Sequence, residues 1–312
     1  MKPPIDADKR GLGRVGEAEG STSLLVLNIG FTQGIDGPGQ RMVVYLKGCN
    51  MTCPWCAAPE LILPRREVLF YPSRLDDLQR AVAACPVGAV SPKGVRDISA
   101  CCSCGPFHCV TSDNPAFELV GEEMSVSDIA ANALRHRAFF GKSGGVTVGG
   151  GEPTCQFEGL CALLAELHNN GLHTAIETNG VCPDLPKVFD ALDLLYIDLK
   201  HPDDAKCTEI TGQGNAMVLA NIRARYQSGK EMIVRIPLVP GYNADKGTLE
   251  MFGSVLAGIG PLSVELLPFH RRGEVKWQAL GREMPAHDAT EPSEEHVGLA
   301  REILKAHGLR VL

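Results

Sequence analysis

The sequence predicts an α/β fold in which a parallel sheet curves into a partial (β/α)6 barrel. Short apolar runs alternate along the chain with longer helix-like segments, an order typical of parallel βα repeats. Glycine-rich and charged motifs follow directly after these runs, at the strand ends where parallel α/β barrels place their sites. Six runs are too few for a closed eight-stranded barrel. The predicted strands are Met42 to Leu46, Val146 to Val148, His173 to Glu177, Leu194 to Leu199, Met232 to Pro237 and Val264 to Leu267.

Helices are predicted between the strands, for example over Gly159 to Asn169 and over Asn215 to Ser228. Residues 60–118 interrupt the alternation, because they carry five cysteines and little hydrophobic periodicity. We therefore expect a small cysteine-rich insert after the first strand. The predicted organisation is a flexible N-terminal tail, the start of the barrel with a cysteine loop, the insert, and the remainder of the barrel, over residues 1–20, 21–59, 60–118 and 119–312.

Composition and charge argue against several classes of protein. The chain has 312 residues and a formal net charge of -7, which disfavours nucleic acid as a partner because phosphate binding needs a basic surface. No run of about 18 apolar residues is present, and the polar start lacks the apolar stretch of a secretory signal, so neither a membrane span nor export is expected. Eight of the 12 cysteines lie between residues 49 and 109. This clustering predicts a metal or cluster site in a cytoplasmic protein.

The first cysteine group has the spacing Cys49-x3-Cys53-x2-Cys56. Three thiolates can hold three irons of a [4Fe-4S] cube, whereas ferredoxin-type clusters take a fourth cysteine. The missing ligand leaves one iron open to a small chelating molecule, such as the amino and carboxylate groups of S-adenosylmethionine (SAM). A zinc site or a ferredoxin fragment is the alternative interpretation. Trp55 could stack on an adenine or be an ordinary core aromatic residue.

The motifs together resemble the radical SAM superfamily and, within it, the glycyl-radical-enzyme activating enzymes. The resemblance covers most of the chain, from about Gly34 to Leu312, and includes similarity to the pyruvate formate-lyase activating enzyme family. The order and spacing of the motifs make it specific. They are Asp36-Gly37-Pro38-Gly39-Gln40-Arg41, the cysteine loop, Gly150-Gly151-Glu152-Pro153, Glu177-Thr178-Asn179-Gly180, Asp198-Leu199-Lys200, Arg235-x-Pro-x-x-Pro240-Gly241, and Leu266 to His270 continuing to Trp277.

The resemblance implies a SAM-binding role for residues in these motifs. Gly150 and Gly151 would let the backbone approach the SAM amino group closely. Glu152 and Lys200 carry charges suited to a zwitterionic ligand. His270 would contact the ribose or the carboxylate of SAM, and its alternative role is that of a satisfied core histidine.

A monovalent cation beside SAM is also implied, held by residues equivalent to Glu177, Thr178 and Asp198. Glu177 departs from the family pattern, because it stands in place of an aspartate and is one methylene longer. Arg235 is expected either to bind the cofactor or to form a structural ion pair.

Two further departures lie close to these motifs. Ala57-Ala58 replaces a His-Asn or Ser-Asn pair, so a side-chain amide that could hold the cysteine loop is missing. Gly149 replaces a common serine. We expect an unusual subgroup that retains every cysteine of the first cluster.

The insert resembles the double ferredoxin-like insert of many activating enzymes in a reduced form. The fourth cysteine of one ferredoxin run ligates the other cluster, so loss of three cysteines should remove one cluster only. One auxiliary [4Fe-4S] cluster is therefore predicted on Cys85, Cys101, Cys104 and Cys109. Cys102 competes with Cys101 for this role, and a zinc site or free thiols are the alternatives. The remaining cysteines are predicted to be ordinary buried residues: Cys155, Cys161, Cys182 and Cys207.

The resemblance implies an oxidoreductase that reductively cleaves SAM and removes a hydrogen atom from a backbone glycine of a partner glycyl-radical enzyme. The implied electron donor is of the flavodoxin or ferredoxin type, and the auxiliary cluster would relay electrons or dock that donor. A radical SAM enzyme acting on a small molecule or peptide is the first alternative. A non-catalytic iron-sulfur electron-transfer protein is the second, and it would leave the motif around Gly150 without a role.

Overall fold

The computed structural model describes residues 22–101, 109–110 and 114–312. Within these ranges the chain forms eleven strands, ten α-helices and five short 3-10 helices. The strands are β1 (Ser23–Gln33), β2 (Gln40–Leu46), β3 (Glu67–Phe70), β4 (Phe117–Val120), β5 (Glu122–Ser125), β6 (Gly145–Gly150), β7 (His173–Thr178), β8 (Leu194–Asp198), β9 (Glu231–Leu238), β10 (Ser263–Pro268) and β11 (Arg310–Val311). The α-helices are α1 (Leu78–Ala84), α2 (Ile98–Cys101), α3 (Val126–Arg135), α4 (Arg137–Phe140), α5 (Phe157–Asn169), α6 (Asp204–Thr211), α7 (Ala216–Gln227), α8 (Lys246–Ala257), α9 (Glu274–Ala279) and α10 (Glu294–Ala306). The 3-10 helices are Pro59–Leu61, Pro72–Arg74, Pro153–Gln156, Leu185–Ala191 and Arg271–Gly273.

One large sheet carries the fold, with the strand order β11-β10-β9-β8-β7-β6-β2-β1-β5. In this order, all strands from β11 across to β2 pair in parallel, whereas β1 and β5 add an antiparallel edge beside β2. The six predicted strands are confirmed as β2 and β6 to β10, with ends that agree within two residues. The two predicted helices are confirmed as α5 and α7. The α/β partial barrel expected from the sequence is therefore the fold of the chain.

Alternation along the strands separates the core from the site. On β9, Val234 and Ile236 are fully buried in the main apolar core, beneath the helices that cover the sheet. Arg235 lies between them and projects to the opposite side, since successive side chains of a strand point to opposite faces. Helix α5 closes the outer face with leucines spaced three and four residues apart, Leu160, Leu163, Leu164 and Leu167. Burial of one such side chain stabilises the fold by about 1.5–3 kcal/mol.

The cysteine-rich segment between β2 and β5 has a small core of its own. Strands β3 and β4 form a separate antiparallel pair. Its buried apolar side chains are Val68, Phe70, Ala81, Val90, Ala116 and Phe117. The guanidinium of Arg96 ties this segment to the barrel, because it donates to the carbonyl of Val68 at 2.7 Å and to that of Ala279, in α9, at 2.6 Å. The predicted range of the insert, 60–118, contains β3 and ends within β4, because β4 continues to Val120.

Several elements were not predicted. Strand β1 escaped the sequence analysis because only its first half is buried, and the edge strand β5 is mostly exposed. Strand β11 has two residues. The predicted tail over residues 1–20 lies outside the described residues. In the described part of the chain, no helix has the length and apolar character needed to cross a membrane.

Candidate active site

A cavity of about 390 Å³ lies at the carboxyl ends of the parallel strands. It is bounded by the cysteine loop after β2 and by the ends of β6, β7, β8, β9 and β10. Parallel strands bring their carboxyl ends to one edge, so motifs scattered from residue 49 to residue 270 meet here. The predicted site residues in its wall are Cys49, Cys53, Trp55, Cys56, Gly150, Gly151, Glu177, Asp198, Lys200, Arg235 and His270.

The three cysteines of the loop after β2 all face this cavity. Among the described residues, no three Cys, His, Asp or Glu side chains converge closely enough to hold a single metal ion. A [4Fe-4S] cube needs a wider arrangement, because each cysteine binds a different iron. The donor set of three thiols around one cavity therefore fits a cluster. Burial raises the pKa of the Cys56 thiol to about 11, so ligation, which uses the thiolate, must release a proton.

Hydrogen bonds hold the first half of the cysteine loop against the ends of β7 and α6. The side-chain amide of Asn179 donates to the Asn50 side-chain oxygen at 2.6 Å, and it also lies 4.0 Å from the Cys49 sulfur. The Thr52 amide donates to the Thr211 carbonyl at 2.9 Å. Asn179 belongs to the motif after β7 but was not among the predicted site residues. Its side-chain amide, a group that can donate to a cysteine sulfur, was the feature of the motif that could have identified it.

The second half of the loop is held by residues from the far end of the chain. The indole N–H of Trp277 donates to the Cys56 carbonyl at 2.9 Å. Gly273 packs so closely that a Cβ there would lie 2.7 Å from the Cα of Ala57. The sequence analysis expected no anchor here, because Ala57-Ala58 lacks a side-chain amide. The anchor comes instead from α9, and nothing near Cys56 in the sequence indicates it.

Gly150 and Gly151 bring the end of β6 into direct contact with the cysteine loop. Gly150 has a φ of 113°, a conformation that favours glycine. A Cβ on Gly151 would lie 2.4 Å from the Gly48 carbonyl oxygen. Only glycines allow the two backbones to approach this closely, and they leave backbone groups in the cavity wall for a ligand.

Glu152 differs from the other predicted site residues, because its side chain does not line the cavity. It is fully buried, and its carboxylate accepts from the Thr178 hydroxyl at 2.7 Å and from the Asn179 amide at 2.6 Å. It also accepts from the amide and the hydroxyl of Thr154. Burial raises the pKa of Glu152, while these donors act in the opposite direction. The carboxylate thus joins the ends of β6 and β7 behind the wall.

Lys200 and Asp198 form an ion pair in the wall, with 2.7 Å between Nζ and Oδ2. Burial lowers the pKa of Lys200, but Asp198 and the nearby Cys53 raise it more, so the net shift is upward. Lys200 is therefore a fixed positive charge beside the cysteines. It is suited to hold an anionic group of a ligand or to offset the charge of a cluster.

Arg235 lies between two carboxylates. Its guanidinium is 2.5 Å from Glu177 and 2.7 Å from Glu265, and it stacks 3.8 Å above the Tyr196 ring centroid. Burial lowers the pKa of Arg235. The surrounding carboxylates, above all Glu177, raise this pKa by more, so the net shift is upward and the group stays charged. The structure thus places Arg235 both in the cavity wall and in an ion-pair network.

His270 and Trp55 complete the wall. The Nδ1 atom of His270 is buried without a hydrogen-bond partner among the described residues. Such an atom is costly unless a ligand or water satisfies it, which fits a role in ligand binding. Trp55 is only 7% exposed and packs edge-on against Tyr242, with 5.1 Å between ring centroids. It is part of the local apolar cluster and of the cavity wall at once.

The predicted auxiliary-cluster ligands are only partly described. Cys85 and Cys109 pack beside the small core of the insert. The Cys85 sulfur accepts from the Ala89 amide at 3.2 Å. Cys102 and Cys104 lie outside the described residues, and the auxiliary cluster remains a prediction.

Known proteins are similar to most of this chain. The family profile of the radical SAM superfamily matches residues 101–252, and that of a 4Fe-4S single cluster domain matches residues 35–87. The 4-hydroxyphenylacetate decarboxylase activating enzyme of Clostridioides difficile (strain CD196) is 33% identical over 286 residues, covering 88% of this chain and 90% of that protein. The benzylsuccinate synthase activating enzyme of Thauera aromatica is 36% identical over 296 residues, covering 88% of each chain. A crystal structure of a radical SAM methyltransferase from Sphaerobacter thermophilus shares the fold, with a TM-score of 0.54 and 17% identity over 90% of this chain and 67% of that one.

Proposed function

The chain belongs to the activating enzymes of glycyl-radical enzymes within the radical SAM superfamily, and from this membership we propose how its residues divide the work. It uses a [4Fe-4S] cluster and SAM, and its partner is a glycyl-radical enzyme. When bound, the cluster and SAM supply the reductive cleavage that yields a 5'-deoxyadenosyl radical, which takes a hydrogen atom from a glycine Cα of the partner. The protein positions these groups and excludes water.

Cys49, Cys53 and Cys56 are the proposed cluster ligands. Three cysteines would leave one iron of the cluster without a protein ligand and open to SAM. The backbone at Gly150 and Gly151 would receive the SAM amino group. Both glycines line the cavity, which supports this assignment, because a ligand in the cavity could reach their backbone groups.

The remaining wall residues would fix the rest of SAM. Lys200 carries a charge suited to the carboxylate, and the unpaired Nδ1 of His270 needs a polar partner that the ribose or carboxylate could supply. Trp55 would pack against the adenine, and Arg235 would hold the strand ends at the required spacing. Glu152 would act from behind the wall, as a positioning residue for Thr178 and Asn179.

The insert is proposed to carry one auxiliary [4Fe-4S] cluster on Cys85, Cys101, Cys104 and Cys109. Its attachment to α9 supports a relay role, because α9 also contacts the carbonyl of Cys56. The reductant would be a flavodoxin- or ferredoxin-type protein that docks on the insert. We propose both the donor type and the insert as its docking site.

The relatives of similar identity are named for different partners, a decarboxylase in one case and a synthase in the other. We therefore propose the radical chemistry, together with a glycine loop of the partner enzyme that must reach the cavity.

The observation that carries the proposal is the convergence of the three cysteines and the β6 glycines on one cavity. The test is anaerobic reconstitution with iron and sulfide, followed by SAM and dithionite. We expect about eight irons per chain for two four-iron clusters, together with 5'-deoxyadenosine and methionine. About four irons with SAM cleavage retained would remove the auxiliary cluster from the proposal. Intact clusters without SAM cleavage would contradict the central assignment.

A further inference from the structure

Two departures from the family pattern, Gly149 and Glu177, contact each other. They lie at the ends of the neighbouring strands β6 and β7. A Cβ on Gly149 would lie 2.9 Å from Oε2 of Glu177. The glycine thus leaves the space that the longer carboxylate occupies, and the two departures form one structural change.

The extra reach of Glu177 brings its carboxylate to Arg235. Oε1 of Glu177 accepts from the guanidinium at 2.5 Å. The guanidinium is fixed from other sides by Glu265 at 2.7 Å and by the Ile35 carbonyl at 3.3 Å. It also lies above the ring of Tyr196. A positive charge is therefore built into the position beside the Glu177 carboxylate.

The other two implied cation ligands are also engaged. Oδ2 of Asp198 is paired with Lys200 at 2.7 Å. The Thr178 hydroxyl donates to Glu152 and accepts from the Gly180 amide at 3.0 Å. An alkali ion needs several oxygen atoms to replace its hydration shell. Here each of the three implied ligands already engages another group through one of its oxygens.

Two positive charges already occupy this part of the wall. Arg235 is paired with Glu177 and Glu265, and Lys200 is paired with Asp198. An added monovalent cation would meet both of these fixed charges at close range, which is unfavourable.

We propose that the guanidinium of Arg235 takes the place of the monovalent cation in this enzyme, so that SAM binds without an alkali ion. The inference rests on the SAM site proposed above. Glu177 is the residue that selects the guanidinium over the ion, and Gly149 is the residue that leaves room for the Glu177 carboxylate.

Thallium(I), a potassium analogue, tests the proposal directly by equilibrium dialysis with reconstituted enzyme and SAM in the absence of reductant. The wild-type enzyme is expected to bind no thallium at this site. Its SAM affinity is expected to change by less than about twofold between potassium chloride and tetramethylammonium chloride, because an ion that does not bind shifts no equilibrium. Binding of about one thallium ion per chain, coupled to SAM affinity, would overturn the proposal.

The variant E177D/G149S restores the family pattern at both positions. The shorter carboxylate withdraws from Arg235, and we expect binding of about one thallium ion and a gain in SAM affinity of about tenfold in potassium chloride, the scale of one charge-assisted contact. Glu250→Asp makes the same chemical change in a surface pair with His307 and should behave as wild type. A folded, iron-loaded double variant that binds no thallium would show that the Glu177–Arg235 pair does not exclude the ion.

These measurements separate the inference from the function on which it depends. If no variant cleaves SAM in either salt, the proposed SAM chemistry fails. Thallium binding is read without turnover, so it decides the cation question independently.

Discussion

The barrel cavity and the cysteine-rich insert hold their cysteines in different ways. In the barrel, the loop of Cys49, Cys53 and Cys56 is fixed by Asn179 and Trp277, and the sheet behind it packs in a large apolar core. In the described part of the insert, the main apolar cluster has six buried side chains and lies against a two-stranded sheet. A site with so little surrounding core must gain much of its order from the metal itself. Cluster removal should therefore affect the two regions unequally.

The largest expected effect is in the barrel. Cys53→Ala should abolish 5'-deoxyadenosine formation, because an iron loses its ligand beside the SAM site, and iron should fall from about eight to about four per chain. Cys161→Ala, in α5 and away from the cavity, is the matched control and should retain both iron and turnover. Full SAM cleavage by the Cys53 variant would mean that this loop does not hold the catalytic cluster.

A cysteine-to-alanine substitution in the insert should separate SAM cleavage from electron delivery by the protein donor. Cys104→Ala should lower iron to about four per chain, leave dithionite-driven SAM cleavage intact and slow cleavage driven by a flavodoxin- or ferredoxin-type donor. Cys161→Ala again serves as the control and should keep its iron, because Cys161 is not a predicted ligand of either cluster. Unchanged iron in the Cys104 variant would refute the auxiliary cluster.

The anchor of the cysteine loop should have a measurable effect on stability. Trp277→Phe removes the donor to the Cys56 carbonyl, and an unsatisfied buried carbonyl costs about 1–3 kcal/mol. Denaturant unfolding of the cluster-free protein would measure this loss. Trp55→Phe also keeps an aromatic ring but leaves the hydrogen bond from Trp277 to the Cys56 carbonyl in place, so its cost should be smaller. Equal losses in the two variants would argue against the anchor.

The smallest effect compares two equivalent helix caps. Asp77 caps α1 in the insert and Asp245 caps α8 in the barrel, each through its carboxylate. Replacement of either by alanine should cost about 1 kcal/mol. Hydrogen exchange should report the Asp77 change in the insert alone, and the Asp245 change across the barrel core. Identical exchange patterns would show that the two regions unfold together.

The Asp245 cap also has a defined pH dependence. Hydrogen bonds from Thr248 hold the pKa of Asp245 below its usual 3.8. A lowered folded-state pKa means that the stabilisation is complete at neutral pH and is lost as the pH falls through the folded-state value. The difference between Asp245→Ala and wild type should therefore disappear in acid. A difference that persists there would assign the effect to packing instead.

The sequence predicted the features that periodicity and strand order determine, which are the parallel strands and the motifs at their ends. The apolar runs of β6 to β10 were recognisable because each strand places side chains in the main core, and their motifs meet because parallel strands share one carboxyl edge. Contacts between distant residues were not accessible in this way. Trp277 lies far along the chain from Cys56, and no local pattern links them.

The departures at residues 149 and 177 illustrate the same limit. Each was visible as a change from the family pattern, but their contact depends on the register of β6 and β7 and on the length of one side chain. Their joint effect on Arg235 needed the three-dimensional arrangement. The insert was harder still, because its short elements carry little periodicity.

The hydrogen bond from Trp277 to Cys56 also sets an order of events during biosynthesis, because 221 residues separate its two partners. A ribosome adds about 5–20 residues per second, so this interval takes about ten to forty seconds. Throughout that time the nascent chain displays its three thiols on a loop whose anchor has not yet been made. We therefore expect cluster insertion to follow release of the chain, and a truncated polypeptide ending before α9 to hold iron poorly.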